Sequence, residues 1–210
     1  MLFSTANLGY IIPAIFIAMA IHEAMHAFIA HALGDTTAKD MGRLTLNPLK
    51  HIDVVYTLLL PVVLILFGQS PIFAAKPVPF DPNRVKYGEY GAALVGLAGP
   101  VTNFVLATFS AILLRTVQMP TILDNFMSIF LIINVAFFIF NMIPIPPLDG
   151  SRVLYAFAPE PLQKIMAKIE SLGFVVILIV LIVLLPALDP AITYLESKVL
   201  QLLLGQSFAV

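Results

Sequence analysis

An almost wholly apolar segment, residues 8–33, contains three ionisable side chains within five residues: His22, Glu23 and His26. An ionisable residue within a membrane span costs roughly 2.5–3.5 kcal/mol on insertion scales and usually marks a functional site. Because residues i and i+4 share one face of a helix, His22 and His26 can turn a ring nitrogen toward one point, which Glu23 reaches from the side. Two imidazoles and a carboxylate in this pattern predict a zinc site with two ligands and a general base.

The composition is that of an integral membrane protein. Hydrophobic residues make up 60% of the 210 residues and charged residues 11%, whereas a soluble domain carries about 25% charged residues. The net charge is −1 without a basic block, so the expected partner is the lipid bilayer rather than nucleic acid. Cysteine is absent, which leaves His, Asp, Glu and Asn as metal ligands. The N-terminus lacks a basic region and a cleavage site, so the first apolar segment is predicted to be a retained span.

The apolar segments predict an all-α polytopic membrane protein with about five to six membrane helices. They are residues 8–33, 88–116, 125–143, 172–188 and 191–204, and the last of them either spans the membrane or lies along its interface. Residues 54–68 are apolar but only 15 long and are interrupted by Pro61, while a spanning helix needs about 20 residues. We therefore predict a re-entrant hairpin formed with residues 71–82; the alternative is a true span, which would invert the topology of everything downstream.

Two irregular stretches bear on the site. Residues 43–46 alternate polar and apolar before Asn47 and Pro48, which predicts a short strand closed by a turn, with a plain loop as an equally supported alternative. Three prolines between residues 144 and 147 cannot continue a helix. The extended backbone that they impose is tolerated at membrane depth only where protein or a wet cavity covers it.

Asp149 directly follows this proline-rich stretch. Its carboxylate is predicted to face the cavity, although it could instead cap the helix that begins after Gly150. A zinc hydrolase needs three protein ligands and one open position. Asp149 follows a span that ends at the depth of the histidines, so it is the best third ligand on geometry. Four other candidates are less well placed: His31, Asp35, Asp53 and Asp189.

The basic residues predict the orientation of the chain, since cytoplasmic loops are rich in Lys and Arg. With the hairpin model, only Arg115 and Lys198 fall outside. The basic residues that fall inside are Lys39, Arg43, Lys50, Lys76, Arg84, Lys86, Arg152, Lys164 and Lys168. The N-terminus is then outside, and the predicted metal site opens toward the cytoplasm.

The order of the motifs resembles the site-2 protease family of intramembrane zinc metalloproteases. The resemblance rests on His22-Glu23-x-x-His26, on Gly99-x-x-x-Asn103 and on Asn141-x-x-Pro144-x-Pro146-x-Leu148-Asp149-Gly150. Residues 42–48 and 75–79 resemble the compact prokaryotic branch of that family. The resemblance covers about residues 13–152, with no PDZ-like insertion or regulatory domain. It implies one membrane-embedded metalloprotease domain, residues 1–210, with a core at about 8–152 and C-terminal helices at about 160–205.

This resemblance also implies roles for individual residues. One Zn²⁺ per chain would be bound by His22, His26 and Asp149, with Glu23 as the general base. Asn103 would help to hold substrate or the developing oxyanion, and Asn141 would line the site. The implied reaction is hydrolysis of a peptide bond within or near a transmembrane segment of a membrane protein, in a prokaryotic cell membrane. An unwound substrate would pair with the strand at residues 43–46 by edge addition.

Two other classes of function remain open from the sequence. A membrane metal transporter would use His22, His26 and Asp149 as a transit site, but it needs further polar residues at several depths. The spans offer few beyond Glu89 and Asn134. A non-enzymatic scaffold derived from a protease is disfavoured by the intact Glu23. The sequence does not specify the substrate, its trigger or the oligomeric state.

Overall fold

The computed structural model describes residues 7–51 and 78–205. Across these residues it is all-α, as predicted, and no strand occurs in them. The seven α-helices are α1 (Leu8–Ala32), α2 (Thr37–Asp40), α3 (Gly88–Thr116), α4 (Thr121–Asn141), α5 (Gly150–Phe157), α6 (Glu160–Glu170) and α7 (Phe174–Leu204). A 3-10 turn, Pro48–Lys50, lies between α2 and the part that is not described.

Three of these helices, α1, α3 and α4, are long and apolar enough to cross a membrane. The backbone N–H of Lys86 donates to the carbonyl of Leu33 (2.8 Å), which places the beginning of α3 beside the end of α1. Only four residues, 117–120, connect α3 to α4, so α4 returns along α3. The N-terminal half of α1 packs on α4 through small and branched apolar side chains: Ile11, Ala14, Ile15, Ala18, Ile129, Phe130 and Ile133. Such small residues allow membrane helices to approach closely.

The predicted hairpin at residues 54–68 lies outside the described residues. The two C-terminal segments predicted at 172–188 and 191–204 instead form one helix, α7, which continues through Pro186 and Pro190. A membrane helix tolerates proline where neighbouring groups satisfy the freed backbone. The end of α7 lies beside the end of α3, since Arg115 Nη1 donates to the carbonyl of Leu203 (3.2 Å).

The prediction of a short strand at residues 43–46 is wrong. The backbone N–H of Arg43 donates to the carbonyl of Ala38 (2.8 Å), and that of Thr45 donates to the carbonyl of Arg43 (3.0 Å). The carbonyl of Thr45 accepts from His51 Nε2 (2.9 Å). The backbone N–H groups of Arg43 and Thr45 are thus used by acceptors nearby in the chain, and residues 43–46 form no strand.

The carboxylate of Asp35, just after α1, ties the stretch at residues 78–86 to the end of that helix. It accepts from the backbone N–H (2.9 Å) and hydroxyl (2.5 Å) of Thr37 and from the N–H of Asp81 (2.7 Å). Burial acts to raise the pKa of Asp35, but these hydrogen bonds and the nearby charge of Arg84 together lower it below its usual value. Asp35 therefore stays ionised at neutral pH, which preserves the attachment.

The connection between α4 and α5 folds back toward α1. A Cβ on Gly150 would lie 2.8 Å from the carbonyl oxygen of Ile143 and still nearer to that of Met142, so only glycine lets the beginning of α5 approach the end of α4 so closely. At the same end of the molecule, Arg152 of α5 lies 3.4 Å from Glu170 of α6. Asp149 is thereby held at the depth where α1 carries its histidines.

Candidate metal centre

His22 and His26 lie one turn apart on the face of α1 that packs against α3, and they are 6% and 8% exposed. Their Nε2 atoms are 3.0 Å apart. Asp149 Oδ2 lies 3.1 Å from His22 Nε2 and 3.3 Å from His26 Nε2. The structure therefore brings together the three residues predicted as metal ligands, although 123 positions separate His26 from Asp149 in the chain.

Asp149 occupies the position before α5, yet its side chain makes no capping hydrogen bond there. The structure therefore contradicts the alternative interpretation, in which the carboxylate of Asp149 caps the helix after Gly150. The carboxylate points instead to the two imidazoles.

The ring nitrogens turned away from the cluster are both hydrogen-bonded. His26 Nδ1 lies 2.7 Å from the carbonyl oxygen of Val95. Because a carbonyl only accepts, Nδ1 carries the proton and Nε2 keeps its lone pair. His22 Nδ1 lies 2.5 Å from the side-chain oxygen of Asn103. Both Nε2 atoms are thus available as ligands.

This donor set fits a divalent cation. Asp149 Oδ2 is buried without a hydrogen-bond partner among the residues that the structure describes, and it faces the Nε2 atoms of both histidines. Ligand atoms of a tetrahedral zinc site with bonds of about 2.0–2.1 Å lie about 3.3 Å apart. The observed separations of 3.0, 3.1 and 3.3 Å are close to that value, so the three residues match a zinc ion without rearrangement.

Gly99 forms the wall of this cluster on α3. A Cβ at this position would lie 2.5 Å from His22 Nε2 and closer still to His26 Nε2. Any side chain would therefore occupy the space into which the two imidazoles point. Asn103 lies one turn further along α3, on the same face, so the Gly99-x-x-x-Asn103 spacing combines close helix approach with a hydrogen bond to His22.

Glu23 follows His22 on α1 and is partly exposed. Its Oε2 accepts from the backbone N–H of Val78 (2.9 Å), and Val78 belongs to the stretch that Asp35 holds against α1. The fold thus fixes the orientation of this carboxylate on the side of α1 next to the cluster.

The two asparagines predicted at the site lie in different surroundings. Asn103 is completely buried between His22 and Asn134. Asn141 is the last residue of α4, is partly exposed, and donates to the carbonyl of Phe137 in its own helix (3.0 Å). Sequence reasoning noted Asn134 as a polar residue in a span but gave it no place at the site. The sequence did carry one indication for Asn134: it precedes Asn141 by seven residues, which puts the two side chains on one face of α4.

These features define the class of a metal-dependent hydrolase built into a helical membrane protein. Residues 115–185, which include Asp149, match the family model described as Peptidase family M50. The chain is 36% identical over 182 residues to "Putative zinc metalloprotease YwhC" of Bacillus subtilis, which covers 82% of this chain and 80% of that protein. It is 31% identical over 173 residues to "Putative zinc metalloprotease Rip2" of Mycolicibacterium smegmatis, covering 81% of this chain and 65% of that protein. No solved structure matches the chain at the stringency that these relatives meet.

The chain belongs to Peptidase family M50, the family of the site-2 proteases. The resemblance inferred from the motifs is confirmed, and so is the assignment as a zinc metalloprotease integral to the membrane.

Proposed function

We propose that this chain is an intramembrane endopeptidase that binds one Zn²⁺ through His22, His26 and Asp149. It hydrolyses a peptide bond within or near a transmembrane segment of another membrane protein. The observation that carries the proposal is the buried cluster of the three ligand atoms, set among apolar helices, with Glu23 next to His22 on α1. Membership of Peptidase family M50 favours this function over a metal transporter.

A zinc ion held by His22, His26 and Asp149 would supply Lewis-acid chemistry toward a water molecule and a substrate carbonyl. Glu23 takes the proton from the attacking water and delivers it to the leaving amine. The Val78 N–H on its Oε2 keeps the carboxylate oriented through both transfers. The Nε2 lone pairs of His22 and His26 would be used by the metal, so neither histidine would compete with Glu23 as a base.

The substrate segment has to unwind before it reaches the site, because the carbonyls of a membrane helix are hydrogen-bonded within the helix. Residues 43–46 are irregular and form no strand, so edge pairing at that position is not part of this proposal.

Cleavage within a mixture of membrane proteins tests the function without the choice of a particular substrate. We expect that the purified protein, added to a bacterial membrane fraction, produces new protein N-termini inside predicted transmembrane segments. Mass spectrometry of labelled N-termini detects them. A chelator should abolish them, and added Zn²⁺ should restore them. If the protein instead carried Zn²⁺ into liposomes loaded with a zinc indicator and produced no new N-termini, the transporter would replace the protease.

We also propose that the metal centre opens toward the cytoplasm of a prokaryotic cell. Eight of the nine basic residues predicted inside lie in described segments, at or beyond the end of the bundle where α1 ends and α3 begins. Arg115 lies at the opposite end, beside the end of α7. This asymmetry agrees with the tendency of cytoplasmic loops to be basic.

Cysteine labelling tests this orientation, and the chain has no cysteine of its own to interfere. Met41 is 65% exposed just after α2, and Gln118 is exposed between α3 and α4. In intact cells, a membrane-impermeant thiol reagent should label Gln118→Cys but not Met41→Cys, whereas both should react after lysis. Labelling of Met41→Cys in intact cells would overturn the proposed orientation.

A further inference from the structure

Two buried amide side chains connect His22 of α1 to the backbone of α4. His22 Nδ1 lies 2.5 Å from Asn103 Oδ1, Asn103 Nδ2 lies 2.9 Å from Asn134 Oδ1, and Asn134 Nδ2 lies 2.8 Å from the carbonyl of Phe130. Both asparagines are 0% exposed. The connected groups therefore have no access to bulk water, and each hydrogen bond must be satisfied by the next group.

The direction of this chain of hydrogen bonds is fixed at its far end. The carbonyl of Phe130 only accepts, so Asn134 must present its NH₂ group there and its oxygen to Asn103. Asn103 must then turn its own NH₂ group to Asn134 and its oxygen to His22. The carbonyl of Ala18, 3.5 Å from Asn103 Nδ2, requires the same orientation. An oxygen facing His22 in turn requires the proton of His22 to be on Nδ1.

The two histidines of the cluster are thus oriented by different means. His26 Nδ1 meets the carbonyl of Val95, a backbone group that can only accept and needs no further support. His22 Nδ1 meets an amide side chain, which could present either its oxygen or its NH₂ group. The orientation of that amide is determined mainly by the second amide, Asn134, at 2.9 Å, and more weakly by the carbonyl of Ala18 at 3.5 Å.

We propose that Asn103 and Asn134 are positioning residues that hold His22 in the Nδ1-protonated form, so that its Nε2 lone pair faces the metal. This inference rests on the proposed zinc site. It differs from the role in substrate or oxyanion binding that the resemblance implied for Asn103. An oxyanion needs a hydrogen-bond donor, and the two N–H groups of Asn103 are directed to Asn134 and Ala18.

Zinc affinity of the full-length protein, measured by competition with a chromophoric chelator, tests the inference. Substituting Asn103→Leu or Asn134→Leu should each weaken zinc binding by about 10- to 100-fold, the usual effect of losing a group that orients a metal ligand. The double variant should bind about as weakly as Asn103→Leu alone, since both residues act through one path. An oxyanion residue would instead lower the cleavage rate and leave zinc affinity unchanged.

The variant Asn103→Asp separates orientation from packing. A carboxylate accepts at both oxygens, so it holds the Nδ1 proton of His22 without help and should keep zinc affinity within about threefold of wild type. In that background the oxygen of Asn134 would face a carboxylate oxygen rather than an NH₂ group, so Asn134→Leu should not weaken zinc binding further. If Asn134 only filled space, Asn134→Leu would weaken zinc binding equally in both backgrounds, and the inference would be overturned.

Ser110→Ala is the matched control. Ser110 is also buried on α3, two turns beyond Asn103, but its hydroxyl donates to the carbonyl of Leu106 in its own helix. The zinc affinity of this variant should equal that of wild type.

¹⁵N NMR of histidine-labelled wild type should find the proton of His22 on Nδ1, which keeps the test decisive if a Leu variant does not fold. A proton on Nε2, or unchanged affinity in both Leu variants, would overturn the inference. A wild type that binds no zinc would refute the proposed function itself.

Discussion

Substituting Glu23→Gln is expected to abolish peptide hydrolysis while leaving the zinc content of the protein unchanged. Gln has the same shape and keeps an oxygen for the Val78 N–H, which now meets Glu23 Oε2 at 2.9 Å. An amide cannot take a proton from water at neutral pH, however, and a positioned general base contributes about 10²- to 10⁴-fold to the rate. The rate of N-terminus formation should fall by at least about 10²-fold.

The control for this substitution is the same change at an exposed carboxylate. Glu160 is 75% exposed at the beginning of α6, and its carboxylate lies 2.7 Å from Lys164, so Glu160→Gln should leave the rate of hydrolysis as in wild type. Full activity in Glu23→Gln would remove Glu23 from the mechanism. Loss of zinc together with activity would show that Glu23 supports the metal rather than the proton transfer.

Substituting Gly99→Ala is expected to empty the metal centre. The added Cβ would lie 2.5 Å from His22 Nε2 and closer to His26 Nε2, in the space where the ligand atoms converge. Either the imidazoles turn away or α3 moves outward, and overpacking of this kind costs about 1–3 kcal/mol. Zinc affinity should fall by at least about 100-fold, which is about 2.7 kcal/mol of binding free energy. Isothermal titration of the chelator-treated protein measures the affinity.

Gly9→Ala provides the matched control, because a Cβ on Gly9 in α1 meets nothing within 4 Å. This variant should bind zinc as wild type does. If Gly99→Ala also kept wild-type zinc affinity, the close packing of α3 against the two imidazoles would be incorrect.

The metal centre was largely predictable from the sequence because its determinants are local. The spacing of His22 and His26 sets both side chains on one helical face whatever surrounds the helix. The prolines before Asp149 prevent α4 from continuing, whatever the tertiary packing around them. These two local constraints, together with the antiparallel course of consecutive spans, were sufficient to place all three predicted ligand residues near one another.

The contacts between helices were not predictable in the same way. A helix that is apolar on all sides, such as α4, has no preferred face in its sequence, so its rotation toward Asn103 is set by packing. The spacing of Asn134 and Asn141 marks one face of α4, but the contact of Asn134 with Asn103 depends on that rotation. The close approach of Gly99 to the imidazoles likewise depends on how near α3 comes to α1, which helical spacing alone does not give.

Two errors have physical causes of the same kind. Polar and apolar residues alternate at 43–46 as in a strand, but the backbone N–H groups there find acceptors within a few residues. The apolar residues near the C-terminus were predicted as two segments, 172–188 and 191–204. In the structure one helix, α7, continues through Pro186 and Pro190, as membrane helices can where neighbours satisfy the freed carbonyls.

The central claim is that His22, His26 and Asp149 together hold one zinc ion inside the membrane domain. The measurement that tests it most directly is the zinc content of purified wild-type protein beside Asp149→Ala, with helical content compared by circular dichroism. We predict about one zinc per wild-type chain and almost none in Asp149→Ala, since a catalytic zinc site needs its three protein ligands. Equal zinc in both folded proteins, or none in wild type, would contradict the account.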